Sequence, residues 1–231
     1  MPIDLICLDA DDTLWRHESY FQDAARRYHA LLVPFADPAH TEARLVEAEE
    51  RNLHLYGYGV KGFTLSMIET ALDIAGDALP AGAVAQILAI GRELMRHPIE
   101  PLPGVRETLP KLAARARLVL VTKGDLFHQE SKLAASGLGD QFAGVEIVSE
   151  KTAATYTKIF ARYGAAPHRA VMVGNSLRSD ILPALAAGAF ALHIPHEFEW
   201  ARERAEPPLD EPRFAALESF ADLSGWLGRV D

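Results

Sequence analysis

The chain is 231 residues long, with 32 acidic against 23 basic side chains, a formal net charge of −9 at pH 7, and a single cysteine. That length buries a sizeable core without covalent staples, and one cysteine excludes a disulfide framework. The acidic balance argues against a nucleic-acid or anionic-membrane partner, but it leaves room for a small anionic substrate in a local cationic pocket.

No basic segment precedes the first apolar run, and no span is long and apolar enough to cross a bilayer, so the expectation is a cytoplasmic protein. That first run, Leu5-Ile6-Cys7-Leu8, turns abruptly into Asp9-Ala10-Asp11-Asp12. A near-continuous apolar stretch of strand length suits a parallel sheet covered on both faces, where ligands sit beyond the carboxyl ends of the strands. Asp9 and Asp11 fall at that end. Carboxylates crowded this closely require a divalent cation, a raised pKa, or both. Asp12 reads as a turn acid, and Cys7 as a small buried side chain.

From Arg16 to about His97 the pattern is helical throughout. Tyr20, Ala24, Tyr28 and Leu31 share one face, Leu45, Ala48 and Leu55 mark a second helix, and Leu65, Ile68, Leu72 and Ala75 a third. A fourth, through Val84, Ile87, Leu88, Gly91, Leu94 and Met95, ends before Pro98. Amphipathic helices without a strand bury their stripes against one another, which predicts a small bundle as a second domain. Within it, Gly57-Tyr58-Gly59-Val60-Lys61-Gly62 has the spacing of a dinucleotide fingerprint but lacks the strand that such a fingerprint must follow.

From Pro103 the pattern changes to alternation: a helix over Val105 to Ala114, a strand Arg117 to Thr122, a helix around Gln129 to Ser136 and a strand around Val145 to Val148. A helix over Ala153 to Tyr163, a strand Ala170 to Val173, a helix from Ser179 to Ala187 and a strand Ala189 to Ile194 follow, before a short terminal strand and a last helix near Leu223 to Leu227. Strands alternating with helices predict a doubly wound, Rossmann-like parallel sheet, an α/β core carrying the all-helical insertion. The predicted division is residues 1–15 and 99–231 for the core and 16–98 for the insertion, with hinges near Trp15 to His17 and Pro98 to Pro103.

Each predicted strand is followed at once by polar groups: Asp9 and Asp11, then Thr122 and Lys123, then Ser149 and Lys151, then Asn175, Ser176 and Asp180. All would share one edge. The hydroxyl, ammonium and backbone amides of Thr122-Lys123-Gly124 suit the oxygens of a phosphoryl group, Lys151 adds fixed positive charge, and carboxylates from opposite strands can hold Mg²⁺ between them. Lys158, in mid-helix, reads as solvated, and His193 and His196, without a third ligand nearby, as a polar loop.

On these segments the chain resembles the haloacid dehalogenase superfamily, in its phosphatase branch with a helical cap inserted after the first motif. The resemblance covers nearly the whole chain. It places the first motif on Asp9-Ala10-Asp11-Asp12-Thr13-Leu14, the second on Thr122, the lysine motif on Ser149-Glu150-Lys151, and the last on Gly174-Asn175-Ser176-Leu177-Arg178-Ser179-Asp180. What it implies is Asp9 as nucleophile, Asp11 as general acid and then base, and Mg²⁺ on the Asp9 carboxylate, the Asp11 backbone carbonyl and Asp180. It also implies that the loop around Tyr58 and Lys61 faces the substrate, a small phosphorylated metabolite. Asn175 departs from the commoner pattern, which has an acid there; as an amide it contributes no charge, so weaker metal binding is expected. The competing expectations are a 2-haloacid dehalogenase, against which Asp11 argues because a halide leaves unprotonated, and a phosphate-sensing module without turnover.

Overall fold

The computed structural model describes residues 2–198 and 200–230, so the predicted domain limits at 1 and 231 lie outside the described residues. The chain divides into two compact units, one of residues 1–18, 99–123 and 129–231, the other of 19–98 and 124–128. The pentapeptide 124–128, expected in the core, clusters with the helical insertion instead.

The first unit is built on a six-stranded sheet of order β3-β2-β1-β4-β5-β6. Its strands are β1 (Leu5–Leu8), β2 (Arg117–Lys123), β3 (Gly144–Val148), β4 (Ala170–Gly174), β5 (Phe190–His193) and β6 (Phe214–Ala216), each pair parallel. Both faces of the central strands are apolar. Ile6, Leu8, Leu118, Leu120, Val171 and Val173 join a cluster with Val105, Leu109, Phe220, Leu223 and Trp226, while Leu5, Cys7, Val119, Val121, Ala170 and Met172 join Tyr156, Ile159, Phe160, Ile181 and Leu185. This two-sided burial is why the strands read as continuous apolar runs rather than as alternation. Cys7 has no exposure, and burial pushes its thiol up to about 12, which leaves it inert.

The sheet alternates with helices, which take their numbers after the four of the insertion: α5 (Val105–Ala113), α6 (Leu126–Ser136), α7 (Ala153–Arg162), α8 (Leu182–Ala186) and α9 (Leu223–Val230). The helix expected from Ser179 instead opens as a π-turn, Leu177–Ile181, before α8. Asp180 N and Ile181 N both donate to the Ser176 carbonyl, at 3.0 and 3.2 Å, and this wide turn is what returns the Asp180 side chain toward β4.

In the helical unit, α1 (Glu18–Leu32, whose first residue belongs to the sheet unit), α2 (Pro38–Tyr56), α3 (Val60–Ala75) and α4 (Ala81–Leu94) bury one shared core. Three expected faces are corrected. Leu32 rather than Leu31 is fully buried on α1, Leu55 is 74 % exposed on α2, and α3 turns Val60, Phe63, Met67 and Ala71 inward, leaving Leu65 and Leu72 exposed. α3 packs tightly on α4 at one point: a Cβ at Gly91 of α4 would lie 2.2 Å from the Thr64 hydroxyl, so only glycine admits this packing. Asn52 ties α2 to α3 by donating to Ser66 at 3.1 Å and Glu69 at 2.8 Å.

Where the chain leaves and re-enters the sheet unit, its two crossings lie side by side, Arg16 N donating to Glu100 O at 3.1 Å and Leu102 N to Leu14 O at 2.9 Å. Among the described residues no helix is long and apolar enough to cross a membrane.

Candidate active site

β1 lies between β2 and β4, so the segments leaving these three strands converge without any distortion of the sheet. Asp9, just past β1, is anchored by its own N–H on the Val173 carbonyl at 2.9 Å and is 6 % exposed. Its two carboxylate oxygens meet different partners. Oδ1 accepts from the Lys151 ammonium at 2.5 Å, and Oδ2 accepts from the Thr13 hydroxyl at 3.0 Å. Lys151 donates also to Asp180 Oδ1 at 2.7 Å, so one buried cation serves two buried carboxylates.

Asp180 is held from its other side by Ser176 N, which donates to Oδ2 at 3.1 Å. A Cβ at Gly174 would lie 2.1 Å from that same Oδ2, so the glycine closing β4 is the condition for the carboxylate to lie there. Burial raises the Asp9 carboxyl to about 7, Lys151 opposing and Asp180 adding to the rise. Asp180 is likewise raised by burial against the pull of Lys151. Burial alone would lower the Lys151 ammonium; Asp180 and Asp9 reverse that and raise it.

The Asn175 amide meets Asp9 on the side away from Lys151. With its NH₂ turned inward it donates to Asp9 Oδ2 at 3.2 Å and to the Asp11 carbonyl oxygen at 3.3 Å. With its oxygen turned inward it stands at those two distances from the Asp9 and Asp11 oxygens, near the roughly 2.9 Å edge of an octahedron with Mg–O bonds of 2.0–2.1 Å. The donor set therefore fits a hard divalent cation. It is a mixed set of carboxylate, backbone carbonyl and amide, and among the described residues no three His, Cys, Asp or Glu side chains cluster as a metal site. Asp180, expected as a ligand, accepts from Lys151 at Oδ1 and from Ser176 N at Oδ2, and Asn175 is the residue that meets Asp9 Oδ2.

Asp11 sits in a different pocket. Lys132 on α6 donates to both of its oxygens, at 2.6 and 2.7 Å, Trp15 Nε1 to Oδ1 at 2.7 Å, and Gln129 to Oδ2 at 3.0 Å, while His17 Nε2 lies 3.5 Å from Oδ2. Burial would raise this carboxyl, but His17 and Lys132 outweigh it and hold it far below the usual carboxylate range. Lys132, Gln129 and Trp15 were not expected at the site: Trp15 was read as a hinge residue and Gln129 as the start of a helix. The available signal was a glutamine and a lysine three apart on the helix after the second motif, hence on one face. Asp12 takes φ of 59° and accepts from His17 N and Glu18 N, both at 2.9 Å, so it caps the entry to α1 as a turn acid. Burial lifts it to about 6 against His196 and those two amides.

At the end of β2, Thr122 is buried and its hydroxyl donates to the Lys123 carbonyl at 3.3 Å. Lys123, expected to offer its ammonium to a substrate, instead pairs with Glu203 at 2.7 Å and donates to Ser179 Oγ at 2.8 Å. Glu203 also accepts from the Ser176 hydroxyl at 2.5 Å; burial would raise it, and Lys123 and the two serines outweigh that and lower it. No spacing in the sequence foreshadows this acid. In the helical unit, Lys61 lies in the first turn of α3 and pairs with Asp125 at 2.8 Å, and Gly124 takes φ of 132°, a backbone state that favours glycine.

Thus Asp9, Lys151, Asp180 and Asn175 form one connected cluster, with Thr13 and Ser176 as supports, and Asp11 is linked to it through its backbone carbonyl. Comparison with solved structures gives a haloacid dehalogenase-like family hydrolase from Xanthomonas campestris at 39% identity and a TM-score of 0.87, covering 99% of this chain and 95% of that one. The Bacillus subtilis protein YfnB, assigned as a HAD hydrolase and bound to magnesium, shares the fold at 16% identity, with a TM-score of 0.68 and coverage of 99% and 100%. So does the L-2-haloacid dehalogenase of Xanthobacter autotrophicus, at 16% identity, a TM-score of 0.67 and the same coverage. No curated protein matches the chain. Residues 3–188 match the family of haloacid dehalogenase-like hydrolases, and with both the motifs and the sheet order in place the chain belongs to that family.

Proposed function

We propose that the chain is a Mg²⁺-dependent phosphatase that hydrolyses a small phosphomonoester through an aspartyl-phosphate on Asp9. The observation that carries this reading is the divided Asp9 carboxylate, with Oδ1 on Lys151 and Oδ2 in a set of oxygens suited to a cation. Asp9, the Asp11 carbonyl and Asn175 would hold the ion; a protein of the same fold, YfnB, is bound to magnesium. When bound, it neutralises charge on the phosphoryl oxygens and on Asp9, so that an anion can approach an anion.

Asp9 attacks phosphorus in line, forming its bond to phosphorus as the bond to the leaving oxygen breaks. Asp11, ionised in its resting pocket, first takes up a proton from the incoming phosphomonoester monoanion and passes it to that oxygen, then takes one from the water that attacks the acyl phosphate, so that Asp9 and inorganic phosphate are released. Lys151 compensates charge on Asp9 and Asp180 throughout, and the Thr122-Lys123-Gly124 segment, with Thr122 buried at its start, is assigned to the phosphoryl group.

The dehalogenase of Xanthobacter autotrophicus shares the fold, but Asp11 weighs against that chemistry here, because a departing halide needs no proton. Hydrolysis of 4-nitrophenyl phosphate separates the readings. The expected result is phosphate release that requires Mg²⁺, stops with a chelator and is abolished in Asp9→Asn. Metal-independent turnover of 2-chloropropionate without phosphate release would favour the dehalogenase, and no turnover of either a sensing module.

A further inference from the structure

We infer that Glu203 is a positioning residue of this site: it holds the turn that carries Asp180 and, through Asp180 and Lys151, fixes the nucleophile Asp9. The inference rests on the phosphatase reading for the role of Asp9. It goes beyond that reading because Glu203 lies outside residues 3–188, the part of the chain that matches the family, and outside the four motifs. Glu203 ends a single 3₁₀ turn, Ala201–Glu203, that follows β5. Its carboxylate is largely buried, and the two oxygens have different partners: Oε1 accepts from the Lys123 ammonium at 2.7 Å and Oε2 from the Ser176 hydroxyl at 2.5 Å. Lys123 also donates to Ser179 Oγ at 2.8 Å, and Ser179 N donates to Ser176 Oγ at 2.9 Å. Glu203, Lys123, Ser179 and Ser176 thus close a ring that bridges the ends of β2 and β4, and β1, which delivers Asp9, lies between those two strands.

Ser176 is the pivot of the π-turn, a rare backbone state that concentrates at functional sites. Its carbonyl accepts from Asp180 N and Ile181 N, its hydroxyl oxygen accepts from Ser179 N, and its own N–H donates to Asp180 Oδ2 at 3.1 Å. These bonds stay within residues 176–181, so they shape the turn but do not tie it to its surroundings. The hydroxyl proton leaves the turn for Glu203 Oε2, with the Glu203 carbonyl oxygen at 3.4 Å as a weaker acceptor. A serine hydroxyl has one proton to donate, and a carboxylate makes the stronger bond with it. Tyr156 supplies another tie, its hydroxyl donating to the Ser179 carbonyl at 3.1 Å. From the pivot the contacts run from Ser176 N to Asp180 Oδ2, from Asp180 Oδ1 to Lys151, and from Lys151 to Asp9 Oδ1. A nucleophile has to be held to within about 0.5 Å of its productive geometry. Lys151 can be placed no better than the two carboxylates it bridges, so slack at Ser176 reaches Asp9.

The test is a double-mutant cycle on the full chain, with wild type, Glu203→Leu, Ser176→Ala and the two combined, assayed on 4-nitrophenyl phosphate at saturating Mg²⁺. Glu203→Leu is expected to lower kcat on the order of tenfold with KM within about threefold, because a misoriented nucleophile loses transition-state stabilisation rather than binding. Ser176→Ala is expected to lose about as much, and the combined variant no more than the worse of the two, since both remove one bond. Glu203→Gln, whose amide oxygen can still accept from Ser176, is expected to recover most of the lost kcat. Losses that multiply in the combined variant, a loss confined to KM, or an unaltered kcat in Glu203→Leu overturns the assignment and leaves the phosphatase reading intact. If no Glu203→Leu variant folds, judged by circular dichroism, Ser176→Ala carries the test alone, and a kcat equal to that of the wild type overturns the inference. A wild type with no metal-dependent turnover overturns both readings.

Discussion

Asp9 and Asp11 are two positions apart, and each is bonded to a buried lysine, yet their pockets treat charge in opposite ways. The Asp9 pocket is short of cation: Lys151 is divided between Asp9 and Asp180, and burial carries Asp9 up to about 7. The Asp11 pocket has its charge balanced, with Lys132 bonded to both carboxylate oxygens and indole and amide donors completing the shell. A site left with a deficit of positive charge is one that a divalent ion and a phosphoryl group can complete. A pocket with its charge already balanced orients its carboxylate without a further cation. Number of cations per carboxylate, rather than depth of burial, separates the two.

The harshest way to break that contrast is to remove the shared lysine. Lys151→Met leaves Asp9 and Asp180 facing each other without their ammonium, and two carboxylates in that position hold a proton between them near neutral pH. Turnover of 4-nitrophenyl phosphate is expected to fall about 10³-fold, the scale of losing a preorganised charge in an enclosed site. A loss below about tenfold in a folded variant, judged by circular dichroism, would show that Lys151 is dispensable to the nucleophile.

A milder change sharpens the contrast by altering the deficit itself. Asn175→Asp places a third carboxylate against Asp9 Oδ2 and the Asp11 carbonyl, the two oxygens that the amide meets. Mg²⁺ affinity, read by titration calorimetry, is expected to tighten about tenfold. Without the ion, the added charge repels Asp9, so the thermal midpoint in chelator is expected to fall below that of the wild type. An unchanged or weaker affinity would mean that the amide, and not a shortage of charge, sets metal binding.

How far each pocket was legible follows from the same chemistry. The Asp9 cluster was readable because each member stands directly after a buried strand, and continuous apolar runs mark such strands plainly; β1, β2 and β4 lie within a residue or two of their expected bounds. The Asp11 cage was not. Lys132 and Lys158 are both lysines in mid-helix, the first buried and the second exposed, and the one local difference, a glutamine three residues before Lys132, does not tell which is buried. Only the tertiary approach of α6 to the first motif decides which one leaves water. Helix α3 failed for a related reason. Apolar residues surround it, so the stripe through Leu65, Ile68 and Leu72 and the one through Val60, Phe63, Met67 and Ala71 are equally periodic. The second is the one that seats Thr64 against Gly91, a contact between small residues that carry no hydropathy signal.

A third lysine–carboxylate pair in the sheet unit provides the smallest test. Lys123 and Glu203 are 11 % and 17 % exposed, and the side-chain bonds described for them run to each other and to Ser176 and Ser179. Glu203 lies below its ordinary value of 4.5 because Lys123 and the two serines outweigh burial. An acid whose folded pKa is depressed contributes stability that is complete above its unfolded value and is lost as pH falls through the folded one. Glu203→Gln removes that contribution, so its thermal midpoint is expected to lie about 2–4 °C below the wild type at pH 7, the shift that roughly 1 kcal/mol makes in a chain of this length. Below about pH 4.5 the wild type begins to lose what the variant never had, and the two curves are expected to converge. A gap that stays constant from pH 7 to pH 4 would show that Glu203 acts through the shape of its side chain, and that only the first two pairs carry a charge that matters to the fold or the site.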